Sequence, residues 1–181
     1  MGALKFRVLL DNSEGKEIFR DILIHEEATF DTFFKHIMHA FNFEGEQLAS
    51  FYVSNETWDK GHEIGLMDMS YGTDEVEPVS VMSETRLIDL TTDADQRFIL
   101  VYDFLRMWIF LVELIEKTAD LIEVPKTLIS VGLAPPEDSR GMDETEFGSE
   151  FGDDDFDDDD DMDEDDNEFE DGYNEEDYNA Y

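Results

Sequence analysis

One apolar stretch in the middle of the chain, residues 97–117, places the tightest limit on what the protein can fold into. About fifteen apolar or aromatic side chains there surround Asp103, Arg106 and Glu113. Neither flanking segment can shield that much apolar surface from water, so the stretch must form the centre of a folded core. A membrane-spanning helix is disfavoured, because each of the three ionised side chains would cost about 2.5–3.5 kcal/mol at bilayer depth.

The residue types in this stretch favour two strands over one interior helix. β-Branched and aromatic residues are enriched, and polar residues interrupt the run between 103 and 106. We therefore predict a buried β-hairpin, with strands at residues 98–102 and 107–117 joined by a tight turn. Helical character in the second strand stays open, since its apolar residues are also spaced to share one face of a helix.

Shorter patterns predict the elements before this hairpin. Alternating apolar residues at 4–10 and 16–24 predict an N-terminal hairpin, with turn-forming residues between the two strands. Apolar residues at spacings of three and four predict one amphipathic helix at 30–41, capped by Thr29 or Asp31. Residues 49–55 predict a third strand.

The remaining segments are less regular. Glycine-rich and acidic residues 56–85 predict a loop in which 79–82 could form a short strand, and 85–90 predict a brief helix. Residues 121–124 would extend a sheet edge. The predicted fold class is α+β: a mixed or antiparallel sheet of about five strands with one main amphipathic helix, plus a disordered acidic C-terminal tail.

Charge is distributed unevenly along the chain. Of the net charge of −37, the segment 141–181 carries −22, from 22 acidic residues and no Lys or Arg, and residues 1–140 carry −15. Such a surface repels nucleic-acid phosphates and anionic lipid, so we expect neither direct nucleic-acid binding nor membrane association. It would attract basic partners or cations.

Two further features of composition narrow the class of protein. The absence of cysteine excludes disulfides, thiol catalysis and thiolate metal sites. The first apolar run is interrupted by Lys5, Arg7 and Asp11, so it lacks the pattern of a secretory leader. A cytoplasmic location is therefore expected.

The acidic segment is of low complexity and carries spaced aromatic residues. Burying its seven aromatic side chains would contribute about 20 kcal/mol, whereas fixing about forty residues of backbone costs on the order of 40–80 kcal/mol. We therefore predict a folded domain over residues 1–138 and a disordered tail over 139–181. The tail is either a disordered segment that keeps the protein soluble or a binding arm, that is, a disordered segment that binds a basic partner. The aromatic anchors of such an arm are Phe147, Phe151, Phe156 and Phe169.

The sequence offers few candidates for chemistry. Neither a Gly-x-Ser-x-Gly elbow nor a glycine-rich phosphate loop is present. His36 and His39 have the spacing of two metal ligands on one helix face, but a third ligand is needed, and two ordinary exposed histidines are the alternative. Asp103 lies in the most apolar stretch, where a carboxylate needs a partner. It is either a turn residue that bonds nearby amides beside Arg106, or a catalytic group.

Five short stretches carry a family resemblance. They are residues 18–24, residues 40–43, residues 48–53, residues 101–104 with Tyr102-Asp103-Phe104 followed by Trp108, and residues 133–138 with Pro135-Pro136-Glu137-Asp138. In this order, over residues 4–138, the chain resembles the plasmid pRiA4b Orf-3-like family. The resemblance implies an α+β domain of unknown function, known chiefly from bacterial genes, some of them carried by insertion elements.

The chain departs from the family pattern within these motifs. Phe19 stands where the family usually has Trp. Leu105 and Arg106 replace the Gly-Asp that usually follows Tyr-Asp-Phe, so a site built on that second carboxylate is not expected here. Some relatives are labelled recombinases, but the arginine, His-x-x-Arg and tyrosine set of tyrosine recombinases is missing, and the negative charge opposes DNA binding.

Two hypotheses about function follow. The first is a non-catalytic interaction module, an acidic domain with a disordered acidic-aromatic arm for a basic protein. Its candidate binding residues are Asp103, Arg106, Trp108 and Arg20. The second is a metal-binding or hydrolytic domain that uses Asp103 with His36 and His39. We favour the first because the catalytic templates are absent; no cofactor and no complete set of metal ligands is predicted, and the oligomeric state stays open.

Overall fold

The computed structural model describes residues 1–68 and 79–141. The acidic segment 142–181 lies outside the described residues. It contains the predicted aromatic anchors Phe147, Phe151, Phe156 and Phe169. The predicted disorder of this segment, its role as an arm and the division of the chain at residue 138 therefore stay predictions.

Eight strands of the described residues join into one sheet. They are β1 (Ala3–Leu10), β2 (Phe19–His25), β3 (Ala49–Ser54), β4 (Glu63–Gly65), β5 (Ser80–Val81), β6 (Arg97–Tyr102), β7 (Trp108–Thr118) and β8 (Lys126–Val131). Their order across the sheet is β5-β4-β3-β6-β7-β1-β2-β8. All neighbours are antiparallel except β4 and β5. The helices of the described part are α1 (Phe30–Phe41) and α2 (Leu87–Leu90).

The predicted fold class is wrong. The described part is mostly sheet, with eight strands and two helices, and is not an α+β domain with about five strands and one main helix. The sequence pattern misses β4 and β8, and β8 begins beyond the predicted edge segment 121–124. Both strands lack the apolar and polar alternation of a half-buried strand, because β4 has three residues and nearly all of β8 is exposed.

The central stretch forms the predicted hairpin. β6 and β7 pair in an antiparallel register that ends with Tyr102 opposite Trp108. Asp103 and Met107 shape the turn, with positive φ values of 56° and 53°. Strand geometry continues through all eleven residues of β7, so the helical alternative for this segment is wrong.

Helix α1 occupies the predicted range and covers one face of the sheet, which we call the inner face. The Thr29 side chain caps its N-terminus by accepting from the backbone N of Thr32, and Asn42 ends it in the left-handed region. Its buried residues are Phe30, Phe33, Phe34, Ile37, Met38 and Phe41. Fully burying one such side chain contributes about 2–3 kcal/mol, so the inner face holds most of the hydrophobic stabilisation.

The opposite, outer face of the sheet carries a smaller apolar cluster and paired charges. Ile99, Val101 and Ile109 are buried there. Arg7 of β1 forms a two-pronged ion pair with the buried Asp21 of β2, with N–O distances of 2.8 and 2.9 Å. Among the described residues, no helix combines the length and the apolar character needed to cross a membrane.

Candidate functional site

A short segment after β8, residues 132–141, crosses the end of the sheet; we call it the C-terminal strap. Gly132 opens it with a φ of 74°, a conformation that favours glycine. A Cβ at this position would lie 2.6 Å from the backbone O of Glu17, so a larger residue would also clash. The strap thereby turns away from β8 and runs towards the central hairpin.

Glu137 is the residue that fastens the strap to the rest of the fold. The Tyr102 hydroxyl donates to one oxygen of its carboxylate, and the backbone N of Glu44 donates to the other at 2.6 Å. The backbone O of Glu137 accepts from Trp108 Nε1 at 3.0 Å. Hydrogen bonds from β6, from β7 and from the loop after α1 therefore converge on one strap residue.

The Tyr102 hydroxyl is held in its neutral form. Burial, together with the hydrogen bond to the Glu137 carboxylate, raises the pKa of Tyr102 to about 12. The backbone N of Gln47 donates to the same hydroxyl at 3.3 Å. At neutral pH the phenol is a hydrogen-bond donor to Glu137, and a role as base or nucleophile is disfavoured.

Asp103 is buried at the turn between β6 and β7. One carboxylate oxygen accepts from the backbone N of Leu105 at 3.1 Å and of Arg106 at 3.3 Å, and the other accepts from Arg106 Nη1 at 3.3 Å. Its own backbone N donates to the O of Leu48 at 2.9 Å. Aspartate tolerates the left-handed backbone here better than most residues, and its side chain satisfies the turn. The geometry is that of a turn-forming residue.

Arg106 and Arg140 connect this turn to the strap. Arg106 Nε donates to the backbone O of Arg140 at 3.1 Å. The Arg140 guanidinium lies over the Trp108 ring, 4.5 Å from its centroid, and donates to the backbone O of Met107. This stacked cation replaces water over one face of the indole.

The structure thus brings three of the sequence candidates together, at the junction of the turn and the strap. Asp103, Arg106 and Trp108 lie there, joined by Glu137 and Arg140, which sequence reasoning did not single out as site residues. Glu137 belonged to a recognised motif, and Arg140 is the last basic residue before a segment with no Lys or Arg. Those two sequence features are the signals that could have marked Glu137 and Arg140 as site residues. We call these five residues and Tyr102 the signature cluster.

Arg20, the fourth candidate, has a different role. It is buried on the inner face, where its guanidinium donates to the backbone O of Phe19, of Val131 and of Ala40 at 2.8–2.9 Å. It also lies over the Phe41 ring, 4.7 Å from the centroid. Burial lowers the pKa of Arg20. Its donors tie the end of α1 to β8, so they serve the fold.

The two helix histidines lie side by side, with ring centroids 6.4 Å apart. His36 Nε2 lies 3.0 Å from the Thr127 hydroxyl of β8, and burial, with a smaller contribution from His39, lowers the pKa of His36. In the described ranges, no three His, Cys, Asp or Glu side chains are grouped as a metal would require. The structure does not bring Asp103 into contact with this pair.

The polar groups of the signature cluster are satisfied by one another and by nearby backbone groups. Both oxygens of Asp103 and both oxygens of Glu137 accept hydrogen bonds. Across the described part of the chain, each buried side-chain N or O atom has a hydrogen-bond partner. This arrangement supports a structural role for the cluster, which attaches the strap to the sheet, more directly than a role in acid–base catalysis.

The fold and this site define a class: a sheet-rich domain with one eight-stranded sheet, one face-covering helix and a strap held by a Tyr-Asp-Phe turn. The chain belongs to the plasmid pRiA4b ORF-3-like protein family, whose model matches residues 2–180. The family inferred from the motifs is therefore confirmed, and the match extends through the acidic segment. A comparison with curated proteins finds no match.

A solved structure shares this fold. The crystal structure of MM3350, a protein of unknown function from Methanosarcina mazei Go1, aligns with a TM-score of 0.64 and 23% sequence identity. The alignment covers 82% of this chain and 78% of that chain. At this level of identity the likeness shows the fold alone.

Proposed function

We propose that the protein is a non-catalytic interaction module that binds a basic protein through its acidic surface and its acidic C-terminal segment. The observation that carries this proposal is the distribution of charge over the described residues. Most basic side chains are buried, paired with a carboxylate or bonded to backbone, whereas most carboxylates other than Asp21 and Asp103 are exposed or half-exposed.

All twelve basic residues lie in the described part, and five of them are exposed. These are Lys16, Lys35, Arg86, Lys117 and Lys126. The first three form ion pairs with Glu14, Asp31 and Asp89 respectively. Lys117 Nζ donates to the backbone O of Thr91 at 2.7 Å. Little positive charge is therefore presented to a partner.

Exposed acidic residues of the described part outnumber these exposed bases by more than three to one. The segment 141–181 adds 22 further carboxylates and no base. A field of one sign over the whole surface accelerates encounter with a basic partner and suppresses encounter with an acidic one. The aromatic anchors Phe147, Phe151, Phe156 and Phe169 would supply apolar contacts within that field.

The alternative of a metal-binding or hydrolytic domain has less support. Both Asp103 oxygens are bonded within the turn, and His36 is half-buried against Thr127. Asp103 is therefore occupied by the turn, and His36 already contacts Thr127 through one ring nitrogen.

A peptide-binding measurement on the full chain tests the proposal. A Lys- and Arg-rich peptide of defined sequence, labelled for fluorescence anisotropy, is titrated with the chain, and an acidic peptide of equal length serves as control. A variant of the chain replaces each Asp and Glu of 141–181 by Asn and Gln, which preserves the length and the aromatic residues. We expect the basic peptide alone to bind, and the neutralised variant to bind it about tenfold more weakly.

Two results would overturn the proposal. One is equal affinity for the basic and acidic peptides. The other concerns two variants, the one with a neutralised C-terminal segment and one whose exposed carboxylates in the described residues are neutralised. If both variants bind the basic peptide as tightly as the native chain does, neither acidic surface is needed.

A further inference from the structure

Strand β8 forms one edge of the sheet and is open to solvent. It pairs with β2 on one side, and within the described residues no strand pairs with its other side. Five of its six residues are exposed and the sixth is half-exposed. The backbone N–H and C=O groups along an open edge are available to another extended chain.

The opposite edge of the sheet, formed by β5, offers a much shorter unpaired strand. β5 has two residues, whereas β8 has six, so β8 is the longer open edge of the described sheet. An edge of six residues spans about 20 Å, the length of an ordinary strand. β8 is therefore long enough to hold a bound peptide in register.

The side chains of β8 are unusually apolar for an exposed edge. Leu128 and Ile129 are 49% and 42% exposed. Leu133 at the start of the strap is 91% exposed and extends this apolar surface beyond the strand. Apolar side chains left in water at an edge are a common feature of strands that receive a partner.

The edge also has features that limit indiscriminate pairing. Lys126 begins the strand, and the register with β2 shifts between Asp21 and Ile22, where β8 bulges. Charged residues and bulges are devices that protect natural edges. They leave the part from Ile129 to Val131, beyond the bulged residue Leu128, as the most favourable for pairing.

Charge selects the kind of chain that would pair there. Glu123 lies just before β8, and Glu17, exposed, lies beside Gly132 at its far end. A second copy of this chain would bring a further net charge of −37 to the edge, which opposes self-pairing. A basic segment would meet the acidic residues Glu17 and Glu123 near the two ends of the strand, with Lys126 as the one base on it.

We propose that β8 binds an extended segment of a basic partner by strand addition. The partner's apolar side chains pack on Leu128 and Ile129, and its basic side chains lie towards Glu17 and Glu123. This inference rests on the proposed function and names where and how the basic partner binds. Backbone hydrogen bonds provide the affinity, and the alternation of apolar and basic side chains provides the specificity.

The test uses two peptides with the same side chains. One is a seven-residue peptide of alternating Lys and Val; the other carries N-methyl groups on alternate backbone nitrogens, which removes donors and keeps the charge. With the full chain, the unmodified peptide is expected to bind about tenfold more tightly than the methylated one. It should also slow amide exchange in residues 128–131.

A pair of variants supplies the matched control. Ile129→Lys and Leu121→Lys each add one positive charge at an exposed apolar residue, and Leu121, at 78% exposed, lies outside β8. Ile129→Lys is expected to weaken binding of the unmodified peptide about tenfold, and Leu121→Lys about twofold. If Ile129→Lys does not fold, the methylated peptide on the native chain still decides the question.

The outcomes separate this inference from the proposed function. If both peptides bind equally and Ile129→Lys matches Leu121→Lys, strand addition at β8 is contradicted while the acidic-module proposal stands. If neither peptide binds, both are contradicted. A chain that dimerises through β8 in light scattering, without peptide, would contradict the choice of partner.

Discussion

Tyr102 and Glu137 lie 35 residues apart in sequence, and the hydrogen bond from the buried Tyr102 hydroxyl to the half-buried Glu137 carboxylate helps to hold the strap. A phenol buried against a carboxylate stabilises the fold only while it keeps its proton. The consequence at the residue scale is a dependence of stability on alkaline pH.

The first prediction follows from the direction of this pKa shift. The pKa of Tyr102 is about 12 in the folded chain, and a tyrosine in the unfolded chain has a pKa of about 10. The stabilisation is therefore complete below pH about 10 and is lost as pH rises through 12, by roughly 3 kcal/mol in all. Tyr102→Phe should lose stability at neutral pH and show a shallower decline above pH 10. Urea unfolding of the native chain and of Tyr102→Phe at a series of alkaline pH values measures both effects. If the free energy of unfolding falls in parallel with pH for the two proteins, Tyr102 is not the group responsible.

The second prediction concerns Asp103. Asp103→Ala removes the acceptor for two backbone amides and places alanine at a φ of 56°, so we expect a loss of about 2–4 kcal/mol in the free energy of unfolding. Asp103→Asn keeps an acceptor and tolerates that backbone, and should lose about 1 kcal/mol. Chemical denaturation followed by circular dichroism compares the two. Equal losses would show that turn geometry is not what Asp103 supplies.

Strands differ in how firmly they are held. β1 pairs with neighbours on both sides along nearly all its length and β7 does so over residues 110–113, whereas β8 has one paired side and is mostly exposed. Its attachments to α1 are the His36–Thr127 contact and the Arg20 bonds.

The third prediction is therefore a gradient of amide exchange across the sheet. Amides of β1, β6 and β7 should exchange at rates set by global unfolding, and amides of β8 should exchange much faster, through local opening. Arg20→Met, which removes the guanidinium donors and retains the apolar stem, should speed exchange in β8 more than in β1. Hydrogen exchange read by mass spectrometry or NMR measures this; uniform protection across the eight strands would contradict it.

The same elements explain how far the sequence could be interpreted. The central hairpin was predictable because β-branched and aromatic residues are enriched in its strands and polar residues interrupt the run at the turn. Helix α1 was predictable because the apolar residues of a covering helix recur every three to four positions. β8 gives no such signal, since an exposed edge needs no apolar face, although its β-branched run lies between Pro125 and Gly132. The strap contacts were not predictable at all, because Glu137 meets Tyr102 only after the sheet has formed.

At the scale of the whole molecule, the net charge of −37 is the dominant property. The basic residues stabilise the chain locally, as in the pairs Arg7–Asp21 and Arg97–Glu113, and they are spread over the sheet without forming a patch. What remains for other molecules is a surface of one sign. A surface of that kind binds by long-range attraction that salt screens.

The measurement that tests this account most directly is calorimetric titration of the full chain with the Lys- and Arg-rich peptide at two ionic strengths. We predict clear binding in about 50 mM salt and about tenfold weaker binding in about 300 mM salt, since the screening length shortens over that range. An affinity unchanged by salt, or no binding at the lower concentration, would contradict an acidic interaction module.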